Sequence, residues 1–124
     1  MMANPSYLNK EVVAEAVVDS IKNTQKDAEI RTPYLKGYEK PDKIKPGEKE
    51  ASGFIPDVEF RYNDRVELYE IELNTEVQLQ KWRLFSLYAK KVRGKFNIVT
   101  QKENLPRFRE LLNSNKISAK LIYF

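Results

Sequence analysis

The chain contains neither cysteine nor histidine. Without cysteine, disulfide bonds, thiolate metal sites and cysteine nucleophiles are excluded. Without histidine, a Ser-His-Asp triad, a histidine general base and histidine-bound zinc are excluded as well. Any catalysis by this chain must therefore come from carboxylates, lysine, tyrosine or a metal ion bound through oxygen.

Long hydrophobic runs are also absent, and no segment reaches the roughly 18 apolar residues of a transmembrane helix. The first residues, 1–6, lack the basic and apolar regions of a signal peptide, so we expect a cytoplasmic protein without a membrane partner. The 124 residues, 41% hydrophobic and 32% charged, have the size of one small domain. A net charge of +4 is compatible with a nucleic-acid partner but does not identify one.

Two apolar runs predict a pair of neighbouring strands. They are Ile55–Phe60 and Val66–Leu73, and the polar residues 61–65 between them predict a hairpin turn. Side chains alternate along a strand, so Glu70 and Glu72 share one face of the second strand, whereas its other face is apolar.

Three carboxylates are expected to meet at these strands, because Asp57 begins the strand beside Glu70 and Glu72. Such acids repel one another unless a cation lies between them, and hard oxygen ligands suit Mg²⁺ or Mn²⁺. The alternative interpretation is the solvated face of a half-covered sheet. We adopt that alternative for Glu59 and Glu67.

The spacing of these acids resembles the signature of the PD-(D/E)XK nuclease superfamily. That signature is Pro-Asp, a variable gap, then an acid, any residue and a lysine. The chain has Pro56-Asp57 and, thirteen residues after Asp57, Glu70-Ile71-Glu72. The match covers Pro56, Asp57 and Glu70, whereas Glu72 stands where the family usually has lysine. The resemblance implies that Asp57, Glu70 and Glu72 are metal ligands and catalytic residues.

The first helix is predicted over Leu8–Thr24, with Asn9 as its N-cap. An acidic row on this helix includes Glu15. In the nuclease family the helix before the sheet often adds one more acid to the metal site, which implies that Glu15 is a ligand. The alternative for this residue is a solvated acidic stripe.

A second helix is predicted over Thr75–Arg93, opened by a capping box and ended by Gly94. Gln78 is expected to begin its buried stripe, where a polar residue needs a partner. Gln78-x-x-x-Trp82 is similar to the Gln-x-x-x-Tyr element of one branch of the superfamily. In some members the strand lysine has moved to this helix, which implies that Lys81 supplies the missing cation. The alternative is a surface lysine.

The remaining elements complete a single predicted domain over residues 1–124. They are an edge strand at Ala28–Leu35, a mobile charged loop at 36–52, a strand at Lys95–Thr100, a helix at Glu103–Ser114 and a strand at Lys116–Phe124. The order α-β-β-β-α-β-α-β predicts an α/β fold with a mixed sheet flanked by helices. This order is similar to the restriction-endonuclease-like core.

The resemblance as a whole implies a Mg²⁺-dependent deoxyribonuclease. The ion would polarise the scissile phosphate and lower the pKa of a bound water, and Lys81 would stabilise the transition-state charge. Basic residues of the second helix and its exit, and two of the third helix, would hold the DNA backbone; they are Arg83, Lys90, Lys91, Arg93 and Lys95, and Arg107 and Arg109. Cutting two strands takes two sites, which implies a homodimer. A compact nuclease of this size suits a phage or mobile-element gene.

Two alternatives stay open. The first is a nuclease-fold protein that has lost catalysis and acts as a nucleic-acid-binding or assembly module, because the strand lysine is missing. The second is an unrelated small mixed α/β domain whose acids are only surface residues. In that second case Glu70 and Gln78 face solvent.

Overall fold

The computed structural model of the protein describes residues 9–47 and 52–124. Within these residues the helices are α1 (Lys10–Thr24), α2 (Leu79–Lys91) and α3 (Leu105–Ser114), and the strands are β1 (Glu29–Arg31), β2 (Val58–Tyr62), β3 (Arg65–Ile71), β4 (Lys95–Thr100) and β5 (Lys120–Tyr123). A short 3-10 helix, Lys102–Asn104, precedes α3. In this part of the chain no helix is long and apolar enough to cross a membrane.

The five strands form one mixed sheet in the order β1-β2-β3-β4-β5. The first three strands are antiparallel neighbours, whereas β3, β4 and β5 run parallel. The helices α2 and α3 make the two crossovers that parallel strands require. This architecture confirms the predicted α/β class, the mixed sheet, the order of elements and the edge position of β1.

Helices cover both faces of the sheet, and each face has its own core. Val18 and Ile21 of α1 pack with Ile71 on one face. Trp82 of α2 and Phe108 of α3 pack on the other face. Side chains of β3 alternate between these cores as predicted, so the side of Glu70 is the side that α2 covers.

The predicted start of α1 is confirmed at its cap, because the Asn9 side chain accepts a hydrogen bond of 2.9 Å from the Val12 N–H. Leu8 lies outside the described residues. For α2 the predicted capping box is wrong: the helix begins at Leu79, and the N-cap is Gln78, whose side chain makes no capping hydrogen bond. Residues 72–78 instead carry the chain from the end of β3 to the face where α2 packs.

The end of α2 differs from the prediction in which residue turns the chain. Arg93 adopts the left-handed conformation, with φ of 57°, and the Gly94 N–H donates to the Ala89 carbonyl at 2.7 Å. These features define a Schellman motif with arginine, not glycine, at the left-handed position. Gly94 is required for another reason: a Cβ there would lie 1.8 Å from the Val66 carbonyl oxygen of β3.

The charged loop predicted at 36–52 includes a residue of the core. Ile44 is buried among the residues beneath α2, and it exchanges two backbone hydrogen bonds of 2.8 and 2.9 Å with Phe54. Residues 48–51 lie outside the described part of the chain. The loop is therefore anchored at Ile44, which the prediction of a solvated segment missed.

The prediction that Glu59 faces solvent is wrong. Its side chain is buried, and it pairs with Arg61 at 3.1 Å. Glu59 points to the face on which Ile44 packs, because its neighbours Val58 and Phe60 belong to the opposite core. Glu67, the other acid given this interpretation, is half-buried.

Replacing Gly94 by alanine should destabilise the protein, because the added methyl group meets the Val66 carbonyl and forces α2 away from β3. We expect a loss of about 3 kcal/mol in the free energy of unfolding, measured by urea denaturation. The control is Gly37→Ala, where φ is 90° but no atom lies within 4 Å. It should cost only about 1 kcal/mol, for conformational strain. Equal losses in both variants would contradict the close approach as the cause.

Candidate functional site

The three acidic residues predicted to meet, Asp57, Glu70 and Glu72, all lie at one end of the sheet. Strand β2 begins at Val58, opposite Tyr69 of the antiparallel β3. Asp57, one residue before β2, therefore lies beside the end of β3, and its Oδ2 accepts a hydrogen bond of 2.7 Å from the Ile71 N–H. Chain direction thus brings the start of one strand and the end of the next to the same place.

The Asp57 carboxylate is held from several directions. The Tyr34 hydroxyl donates to Oδ1 at 3.0 Å. Lys10 of α1 donates to both oxygens, at 3.2 Å for Oδ1 and 3.1 Å for Oδ2. The backbone is fixed too, because the Thr32 hydroxyl donates to the Asp57 carbonyl at 2.7 Å. Asp57 is thus a buried, rigidly placed carboxylate.

Glu70 and Glu72 meet a second lysine on the other face of the sheet. Lys81 of α2 forms an ion pair with Glu70 Oε2 and lies 3.5 Å from Glu72 Oε2. The buried Trp82 Nε1–H donates to that same Glu72 oxygen at 2.7 Å. The Thr100 hydroxyl donates to the Glu72 carbonyl at 2.6 Å. Glu72 therefore positions Lys81 and is itself fixed by α2 and β4.

Burial dominates the electrostatics of Glu70, which is 1% exposed. Burial first, and then the Asp57 carboxylate, raise the pKa of Glu70 to about 8, against the opposing effects of Lys81 and Lys10. For both lysines burial lowers the pKa, but the combined effect of the neighbouring carboxylates is larger and raises it. Each lysine pKa is therefore above its ordinary value. The lysines are therefore charged at neutral pH, whereas burial favours the protonated form of Glu70.

The fit of a divalent ion depends on Asp57 and Glu70. Glu70 Oε1 is buried and has no hydrogen-bond partner in the described part of the chain. Mg²⁺ is commonly held by one or two carboxylates together with water, so two carboxylates are a sufficient protein contribution. No group of three or more acidic, histidine or cysteine side chains is arranged to hold a metal within residues 9–47 and 52–124. The donor set that fits is thus smaller than the predicted one.

Two predicted site residues are exposed and make no hydrogen bond or ion pair with the acids in the described part of the chain. Glu15 is exposed; it lies about 140° around α1 from Lys10, the residue of α1 that reaches Asp57. Gln78 is exposed as well, because α2 begins one residue after it. The exposure of Gln78 agrees with the unrelated-domain alternative, whereas the burial of Glu70 contradicts that alternative. Lys81 is at the acids, as the resemblance implied.

Four of the basic residues predicted to hold DNA lie at the opposite end of the sheet from the acids; they are Lys90, Lys91, Arg93 and Lys95. In the parallel pairing of β4 with β3, Lys95 lies opposite Glu67 near the start of β3. The acids lie at the other end of β3. Lys90 and Lys91 lie about 15 Å along α2 from Lys81. The basic side chains predicted on the second helix and its exit are all exposed; they are Arg83, Lys90, Lys91, Arg93 and Lys95.

Three exposed basic residues at the acidic end come from other segments, and one of them, Arg107, is among the residues predicted to hold DNA. Arg107 of α3 donates to the Thr75 carbonyl at 3.2 Å, in the connection that leaves the acidic strand. Lys102 belongs to the 3-10 helix that follows the adjacent end of β4, and Lys36 follows Tyr34, which contacts Asp57. These three residues are exposed.

Three site residues were missed by reasoning from the sequence: Lys10, Tyr34 and Trp82 as a hydrogen-bond donor. For Lys10 a signal existed, because it lies four positions before the buried Ala14, on the face of α1 that packs on the sheet. Nothing local marked Tyr34, since it comes from a loop far from Asp57 in sequence.

Comparisons of the chain with protein-family models, with curated proteins and with solved structures give no match. The resemblance to the PD-(D/E)XK superfamily therefore rests on the quoted residues and the order of elements.

Glu70 should give the protein a distinctive dependence of stability on pH. Because its pKa is raised from 4.5 to about 8 in the folded state, its stabilising contribution is full below pH 4.5 and is lost as the pH rises through about 8. Glu70→Gln mimics the protonated form and lacks that loss. We expect the free energy of unfolding of the unmodified protein to fall relative to this variant, by on the order of a few kcal/mol between about pH 5 and pH 8.

Urea denaturation at a series of pH values measures this difference. Glu76→Gln is the matched control, because Glu76 is exposed in the connection that follows the same strand. This variant keeps Glu70, so its free energy of unfolding should fall with rising pH as it does in the unmodified protein. Parallel stability curves for the unmodified protein and Glu70→Gln would contradict the raised pKa.

Proposed function

We propose that the protein is a metal-dependent nuclease that hydrolyses phosphodiester bonds of DNA, built on a restriction-endonuclease-like core. The observation that carries this proposal is the contact of Lys81 with Glu70 and Glu72. It puts a lysine beside the acids although the strand has glutamate at the usual lysine position. The proposal is also supported by Asp57 and Glu70 lying together at the end of β3.

The roles follow from the contacts. Asp57 and Glu70 would hold Mg²⁺ or Mn²⁺, through carboxylate oxygens that include the unpartnered Glu70 Oε1. The ion, when bound, supplies the polarisation of the scissile phosphate and the lowered pKa of a water molecule. Lys81 would hold a positive charge near the phosphate oxygens. Glu72 and Trp82 would keep Lys81 in position.

The substrate is proposed to be a nucleic-acid backbone recognised by charge and shape. The exposed basic residues at the acidic end, Lys36, Lys102 and Arg107, are suited to phosphate contacts, which fix position without reading sequence. A homodimer stays a prediction, since cleavage of both strands takes two such sites.

A second candidate function is a binding or assembly module without catalysis. The observation that favours it is the ion pair of Lys10 with Asp57. Together with Lys81, this lysine compensates the buried acids without any metal ion. The two candidates differ in one requirement, because only the nuclease needs a divalent ion at Asp57 and Glu70.

Cleavage assays test the nuclease directly. We expect cutting of a panel of linear, nicked, branched and single-stranded DNA with Mg²⁺ or Mn²⁺, and its loss by at least about 100-fold in Asp57→Ala and Glu70→Ala. Lys81→Met should lower cleavage by a similar factor, because a transition-state charge loses its partner. Glu76→Ala, a change at an exposed acid near the same strand end, is the control and should cut normally.

The result against the nuclease would be no cutting of any substrate together with no divalent-ion binding in calorimetry. That outcome would leave the binding module as the function.

The position of the basic residues leads to a separate prediction. Neutralising Lys102 and Arg107 with glutamine should weaken DNA binding about tenfold and reduce its salt dependence, because each phosphate contact releases counterions. The matched control neutralises Lys90 and Lys95 at the other end of the sheet and should change binding less than about twofold. Fluorescence anisotropy in EDTA measures both. A larger effect of the control pair would show that DNA lies on the opposite end of the sheet.

A further inference from the structure

Lys10 contacts one of the proposed metal ligands, Asp57, through both of its carboxylate oxygens. Its ammonium group lies 3.2 Å from Asp57 Oδ1 and 3.1 Å from Asp57 Oδ2, so it faces both carboxylate oxygens at once. Glu70 also interacts with this charge and contributes to the raised pKa of Lys10. A cation bound by Asp57 and Glu70 and the ammonium of Lys10 would therefore compete for the same oxygens.

The two lysines of the site differ in their freedom to move. The side chain of Lys10 is 35% exposed, whereas that of Lys81 is 13% exposed and contacts two glutamates. Lys10 Nζ also lies 5.8 Å from the centre of the Tyr34 ring at the edge of the site. Lys10 can thus move its charge into water by side-chain rotation, while Lys81 stays at the acids.

We infer that Lys10 is a displaceable cation that closes the metal position: it pairs with Asp57 when no divalent ion is bound and must leave before an ion binds Asp57 and Glu70. This inference rests on the metal site of the proposed function. It assigns the two lysines different roles, since Lys81 remains as the permanent cation and Lys10 sets the affinity for the ion.

Calorimetric titration of the metal-free protein with Mn²⁺ and with Mg²⁺ tests this role. If Lys10 occupies Asp57 about nine-tenths of the time, its removal should tighten ion binding about tenfold. Lys10→Met and Lys10→Gln are therefore expected to bind Mn²⁺ about tenfold more tightly than the unmodified protein. Lys10→Arg keeps a cation at this position and should bind no more tightly than the unmodified protein.

A matched control distinguishes loss of the Lys10–Asp57 contact from loss of any positive charge near the site. Lys40→Met removes an exposed positive charge from the loop that follows Tyr34, next to Glu39, whose carbonyl accepts a hydrogen bond of 2.8 Å from the Thr32 N–H. It should change the Mn²⁺ affinity less than about twofold. Circular dichroism verifies folding of each variant, and the two Lys10 replacements guard against the failure of one. Unchanged Mn²⁺ affinity in both Lys10 replacements would overturn the inference, as would an equal gain in Lys40→Met.

The ion-binding readout distinguishes this inference from the nuclease proposal. Tighter Mn²⁺ binding in Lys10→Met without cleavage of any DNA would support the displaceable lysine and oppose the nuclease. Metal-dependent cleavage with the same Mn²⁺ affinity in all Lys10 variants would support the nuclease and overturn the displaceable lysine. Absence of ion binding in every variant would oppose both.

Discussion

The compensation of buried negative charge is the constraint on which this site depends. Asp57, Glu70 and Glu72 are all buried at one strand end, and carboxylates removed from water are costly unless cations or hydrogen-bond donors face them. The protein meets that cost with Lys10 and Lys81, which approach from opposite faces of the sheet. The packing of α1 and of α2 is therefore tied to the acids, and a change in either helix alters the charge balance of the whole cluster.

The topology explains why the acids collect where they do. Strand β2 is antiparallel to β3, and β4 is parallel to β3. The start of β2 and the ends of β3 and β4 therefore lie at the same end of the sheet. The helices α1 and α2 begin at this end of the sheet, so the positive ends of their dipoles lie on the side of the carboxylates. Helix α2 connects β3 to β4, so its last turn and the basic residues there lie at the opposite end of the sheet.

Periodicity and spacing predicted the order of elements, the faces of β3 and the meeting of Asp57 with Glu70, because these follow from local pattern and chain direction. They also led to Lys81, through the resemblance. What they missed depends on packing between distant segments. The burial of Glu59 beside the Ile44 segment and the contact of Lys10 with Asp57 arise from such packing. The predicted start of α2 was wrong because a capping pattern is only a local preference. Here residues 72–78 are needed to connect the end of β3 to the face where α2 packs.

The sequence separation of two contacts in this cluster bears on how the protein folds. Trp82 and Glu72 are 10 residues apart, whereas Lys10 and Asp57 are 47 residues apart. Closing the longer loop costs more chain entropy, so the α2 half of the cluster should assemble before α1 docks. Until then Asp57 remains without its cation, and this strand end stays open to water.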